Sequence, residues 1–309
     1  MADVTVALGG GGVKGFAHLG VLSRLEKEGF NVKAVAGTSA GGIVGSVFAA
    51  GLDMATVSKE LAAVNQRTLF ARLPNDGPSL LGLSGFINWL SSYLEDRTFQ
   101  DLKIPFAVTA VEMSSRQEYI LHQGLVRDAV LATIAIPGVF PPKRIGNAYL
   151  VDGGVLDPVP VAVARWLAPK LPVIAVCLSP TPEKWSELPN FTPPSPIPIP
   201  TPIREQIARF RVSQALQLFI DSMELTSHMV AETRMLIEKP DIIIRPAVHH
   251  IGILDRVDPQ ELFAAGERAT EEVLPQIRHS LTWHHQFSRR FQDSTPPGIV
   301  LSDIEPTGD

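Results

Sequence analysis

The stretch VKAVAGTSAGGIVGSVFAAG, Val32 to Gly51, decides the fold. An apolar run with β-branched residues leads through a glycine-flanked serine, Ser39, into small and apolar residues at helix-compatible spacing that stop at Gly51. It reads as strand, sharp turn and helix. The 19 residues from Ala34 to Leu52 carry no charge, close to a bilayer-spanning length. Five glycines, with Thr38, Ser39 and Ser46, favour a buried strand, turn and closely packed helix over a membrane span. Working outward, Val4–Leu8 predicts a strand and Gly15–Gly29 a helix closed by glycine. Further strands are predicted at Phe106–Val111, Glu118–Leu121, Ala148–Val151, Val173–Leu178 and Asp241–Arg245. Helices are predicted at Val126–Thr133, within Ile203–Ile237 and at Pro259–Leu281. This alternation predicts an α/β fold with a mostly parallel sheet covered on both faces.

The 309 residues are 45% hydrophobic and 19% charged, enough to bury a sizeable core. A net charge of -5 without a basic block excludes a nucleic-acid binder, which needs clustered Lys and Arg. The single cysteine, Cys177 in VIAVCLS, reads as a core residue and excludes a disulfide framework or a CxxC metal site. The start, MADVTVALGG, lacks the positive region of a secretory signal, so a cytoplasmic location is expected. Between Asn65 and Gln100 the pattern weakens. There LLGLSGFINWLSSYL, Leu80–Leu94, reads either as a packing helix or as a lid or lipid-facing cap. Nine of the 23 residues from Pro180 to Pro202 are proline, an extended surface connection. Because Asp241–Arg245 returns to the sheet, the connection is an insertion within one domain expected over residues 1–282. A poorly ordered tail is expected over 283–309.

Two glycine-rich turns and one acidic turn carry the chemistry. Gly37, Ser39 and Gly41 form GxSxG, where a nucleophilic serine sits on a strained turn ahead of a helix. Gly10, Gly12 and Gly15 in LGGGGVKG fit GxGxxG, but the second strand ends in Gly37-Thr38-Ser39 without the acid that holds a ribose. A nucleotide-dependent oxidoreductase therefore remains only as a remote alternative. Phe16 stands where a phosphate P-loop needs lysine. A glycine run at a helix start still offers several backbone N–H groups, which suits an oxyanion as well as a phosphate. The base could be His249 or His250 after the Asp241–Arg245 strand, or Asp152, which ends a strand in LVDGG. His18 reads as a packing or helix-capping residue, and no histidine spacing suggests a metal.

Together GGGGVKG, GTSAG and DGG, in this order, resemble the patatin-like phospholipases, and FAHLGVLSRLEKEG, IAIPGVFPP and VIAV are similar to that family as well. The resemblance implies a three-layer α/β/α fold and a Ser39–Asp152 dyad with no catalytic histidine. It implies an oxyanion hole from the backbone amides near Gly10, Gly11 and Gly12. Lys14 stands where the family has Arg or Lys, and reads as an anion contact or a surface cation. Thr133 and Asp157 depart from a serine and an asparagine commoner there. The implied activity is hydrolysis of lipid carboxylic esters, phospholipid or lysophospholipid, through an acyl-serine, with neither cofactor nor metal. Peripheral membrane contact through Leu80–Leu94 is a further expectation. A catalytically silent patatin-fold protein that binds lipid or a partner is the alternative from another class.

Overall fold

Val4, Val6 and Leu8 point to one side of the first strand and Ala7 to the other, the period-two alternation of a strand covered on both faces. The computed structural model describes residues 2–63, 82–187, 204–281 and 295–301. Five strands run parallel: β1 (Ala2–Leu8), β2 (Phe30–Gly37), β3 (Phe106–Glu112), β7 (Val173–Val176) and β8 (Ile242–Ile244). With β4 (Gln117–Leu121), β5 (Lys143–Ile145), β6 (Ala148–Asp152) and β9 (Ile299–Val300) they form one nine-stranded sheet among the described residues. Its order is β5-β6-β3-β2-β1-β7-β8, with β4 beside β3 and β9 beside β4.

One face packs on α1 (Phe16–Lys27), α2 (Ala40–Ala49), α3 (Met54–Ala63), α4 (Ser84–Leu94), α5 (Val126–Thr133) and α8 (Pro259–Ser280). The other packs on α6 (Val161–Leu167) and on α7 (Arg204–Glu238), whose Ala231 and Met235 join its core. Ala175, Ala7, Ala36 and Ala107 lie in register across β7, β1, β2 and β3 on this second face. Four small side chains in a row let α6 approach closely, bringing Val161 and Ala164 into the same cluster. The layers are α/β/α, as expected.

Register at β3 matters most for function. β4 pairs Val108–Glu112 on one edge, while on the other β2 pairs Phe106–Val108 and β6 pairs Ala110–Glu112. Because β2 runs parallel to β3 and β6 antiparallel, their carboxyl ends meet head on, with Gly37 opposite Val108 and Asp152 opposite Ala110. The turns that follow β2 and β6 are thereby brought to one place.

Several expectations change in detail. α4 turns its apolar face inward, with Phe86 3% and Leu90 0% exposed. Leu80, Leu81 and most of the proline-rich connection lie outside the described residues. Within the expected tail, Ile299–Val300 pairs in parallel with β4. Among the described residues no helix is long and apolar enough to cross a membrane.

Candidate active site

Ser39 caps α2 at the end of β2 with φ 53° and ψ -120°, a left-handed conformation that costs a non-glycine residue on the order of 1–3 kcal/mol. The surroundings enforce it. A Cβ at Gly41 would come within 2.0 Å of the Leu8 carbonyl oxygen, so only glycine lets α2 start this close to β1. The Ser39 N–H donates to Thr133 Oγ1 at 2.9 Å, which anchors the turn to α5. Beneath it the Thr38 hydroxyl donates to the Asp157 carbonyl at 2.8 Å and meets Thr109 Oγ1 at 2.7 Å.

Asp152 ends β6, its N–H held by the Ala135 carbonyl at 3.0 Å. It is 5% exposed, and burial pushes its carboxyl up to about 6, while hydrogen bonds from the Ser39 hydroxyl and the Gly154 N–H act in the opposite direction. The Gly154 bond is 2.7 Å long. A buried serine hydroxyl thus faces a buried carboxylate whose affinity for a proton has been raised towards neutrality. That pair can pass a proton as the serine oxygen attacks an electrophile.

The glycine loop beside this pair is only partly open. The Gly10 N–H is taken by the Pro158 carbonyl at 2.9 Å and the Val13 N–H by the Ile253 carbonyl at 3.0 Å. Among the described residues the Gly11 and Gly12 N–H groups have no backbone acceptor, which leaves two open amides beside the occupied Gly10 N–H. Gly12 has φ +57°, and a Cβ there would lie 2.1 Å from the Ile253 oxygen. Lys14 is not a surface cation: it is 1% exposed and ion-paired to Glu224 of α7. Glu224 lies 210 positions away, and no local pattern announces the pair.

His18 pins the loop from below, donating from Nε2 to the Gly9 carbonyl at 2.7 Å. Burial lowers its pKa to about 4, against the opposing effect of the Gly9 bond, so it is a neutral packing residue. His249 and His250 meet edge to face, with ring centroids 6.0 Å apart, and line neither cavity around Ser39. Of the three candidate bases, Asp152 is the one shown bonded to the Ser39 hydroxyl. Among the described residues no group of three or more His, Cys, Asp or Glu is placed to hold a metal ion.

Ser39 stands between two cavities. One, of about 410 Å³, has apolar walls from Phe16, Ile43, Val44, Phe86, Trp89 and Phe140. The other, of about 370 Å³, contains Asp152, Lys14, Glu224, His228, Ser222 and Thr226. Both touch Gly12 and Ile253. A long apolar chain and a polar group could therefore lie on opposite sides of one reacting carbonyl.

A family model described as patatin-like phospholipase matches residues 6–165, which include the glycine loop, the Ser39 turn and Asp152. The chain belongs to the patatin-like phospholipase family. The chain is similar to an uncharacterized NTE family protein of Mycobacterium tuberculosis (strain ATCC 25618 / H37Rv). It is 34% identical over 164 residues, 52% of this chain and 44% of that protein. Another, lysophospholipase nte1 of Emericella nidulans, is 26% identical over 293 residues, 89% of this chain and 18% of that protein. The chain spans less than half the length of these curated relatives. The crystal structure of VipD from Legionella pneumophila superimposes with a TM-score of 0.50 at 13% identity, covering 90% of this chain and 67% of that one. That likeness shows the patatin fold.

Proposed function

We propose that this chain is a serine-dependent acyl hydrolase that cleaves carboxylic esters of lipids. The observation that carries the reading is the strained Ser39 turn, whose hydroxyl bonds the buried Asp152 carboxylate. In the forward step Ser39 Oγ attacks the ester carbonyl carbon while Asp152 takes its proton. The carbonyl oxygen gains negative charge and accepts the Gly11 and Gly12 N–H groups. Collapse of the tetrahedral species expels the alcohol, which recovers the proton from Asp152, and leaves the acyl group on Ser39. Water then adds to the acyl-serine, Asp152 accepts its proton and returns it to Ser39 Oγ, and the free fatty acid leaves. Each backbone donor would supply roughly 3–4 kcal/mol of transition-state stabilisation.

The apolar cavity fits the acyl chain. Together with the family and the named activity of the Emericella nidulans relative, this favours lipid esters, lysophospholipids among them. The proposed hydrolase unit spans residues 1–282, in keeping with the packing of α8 along α1. Fluorophosphonate labelling with mass spectrometric location of the adduct tests the reading. An adduct on Ser39 in wild type and in the His249→Ala/His250→Ala variant, but not in Asp152→Asn, is expected. A folded wild type that takes no adduct on Ser39 overturns it.

A further inference from the structure

One buried charge has no part in the chemistry above. Lys14 sits in the turn just after the two open N–H groups, and its Nζ donates to Glu224 Oε1 at 2.5 Å. The same carboxylate oxygen lies 3.6 Å from Nε2 of His228, which is 5% exposed. An ammonium removed from water is tolerated only when a counter-charge meets it in good geometry. Burial alone would push the Glu224 carboxyl up, but His228 and Lys14 outweigh it and hold the carboxyl below its ordinary range. The Glu224 carboxylate that meets Lys14 Nζ is thus held in its ionised form.

Backbone geometry ties this pair to the glycine loop. The Lys14 N–H donates to the Gly11 carbonyl at 3.2 Å. That carbonyl belongs to the same planar peptide unit as the Gly12 N–H, so fixing one fixes the direction of the other. We propose that Glu224 is a positioning residue: through the Lys14 ammonium it sets the aim of the Gly12 donor, beside that of Gly11. This rests on the reading that those donors receive the oxyanion. The helix that carries Glu224 is itself referenced to the acid turn, because Arg234 donates to the Leu156 carbonyl at 3.3 Å and lies 3.2 Å from the Asp157 carboxylate. α7 therefore contacts the loops on both sides of Ser39 through residues ten positions apart, and a register between the two loops is built into one rigid element.

The test is Glu224→Gln, which keeps volume and removes charge, assayed on a p-nitrophenyl ester and by the rate of fluorophosphonate labelling. Donors that act on the developing oxyanion affect kcat more than KM. The expected result is a fall in kcat and labelling rate of ~10- to 100-fold with KM within ~3-fold, since a misaimed donor forfeits much of its effect. If Glu224→Gln does not fold, Lys14→Met/Glu224→Leu replaces the ion pair by apolar side chains of similar size. Such replacements usually keep a fold, and the same loss of kcat is expected without the directional bond. Wild-type kcat in either folded variant, or a loss confined to KM, overturns the inference. Collapse of both variants also overturns it, assigning Glu224 to fold stability alone. A wild type without a Ser39 adduct instead removes the underlying hydrolase reading.

Discussion

The raised proton affinity of Asp152 binds activity and stability together with opposite signs. Its carboxyl moves from an ordinary value near 4 to about 6, chiefly by burial, which corresponds to about 3 kcal/mol. For an acid whose folded pKa is raised, the protonated form favours the fold. The penalty of ionisation is absent well below pH 4, grows as pH rises from about 4 to about 6, and is complete above that. Activity needs the ionised form, so kcat/KM should climb through pH 6, standing near one tenth of its plateau at pH 5 and nine tenths at pH 7. Asp152→Asn cannot ionise yet keeps an acceptor for the Gly154 N–H. It should be inactive and more stable than wild type by about 3 kcal/mol at pH 7, with the difference shrinking to a few tenths near pH 4. Urea unfolding of both proteins at pH 4, 5, 6 and 7, beside a pH–rate profile on a soluble ester, measures both limbs. Taking the difference between the two proteins cancels other buried acids such as Asp157. An Asp152→Asn variant no more stable than wild type at pH 7, or an activity midpoint below pH 4.5, would refute the reasoning.

Three further outcomes follow from the same geometry. Ser39→Gly and Ser39→Ala should both lose labelling, but the glycine variant should be the more stable by about 1 kcal/mol because it relieves the left-handed backbone, as thermal melts will show. Thr133→Val leaves the buried Ser39 N–H without its acceptor and should cost about 1–3 kcal/mol in chemical denaturation, whereas Thr133→Ser should retain stability and esterase activity. Gly12→Ala drives a methyl into the Ile253 carbonyl, so labelling of Ser39 should slow more than tenfold while the far-ultraviolet circular dichroism of the sheet persists.

The fold was legible wherever one residue's neighbours decide its state. Apolar runs such as Val4–Leu8 and Val173–Val176 are strands because both faces are covered, and Gly29 and Gly51 close helices by their own positive φ. GxSxG and DGG were legible for the same reason, since each turn is dictated by side chains that must be absent. Partners distant in sequence were hidden. Nothing near Lys14 points to Glu224, and nothing near Gly10 reveals that the Pro158 carbonyl takes its N–H. Thr133 stood out only as a departure from serine, although its hydroxyl holds the Ser39 turn. The inward face of α4 was undecided because amphipathic spacing says which residues share a side, not what that side meets.

The head-on meeting of β2 and β6 along β3 makes the separation of Ser39 from Asp152 a discrete quantity. Only Thr109 lies between the β3 residues opposite Gly37 and Asp152. The connections leaving these strands can lengthen without altering that interval, since neither spans it. One residue inserted beside Thr109 would widen it by a full strand step of about 3.3 Å, beyond hydrogen-bond reach. Chain length is therefore fixed in the middle of the sheet as firmly as in the turns themselves, and there one threonine serves as the gauge.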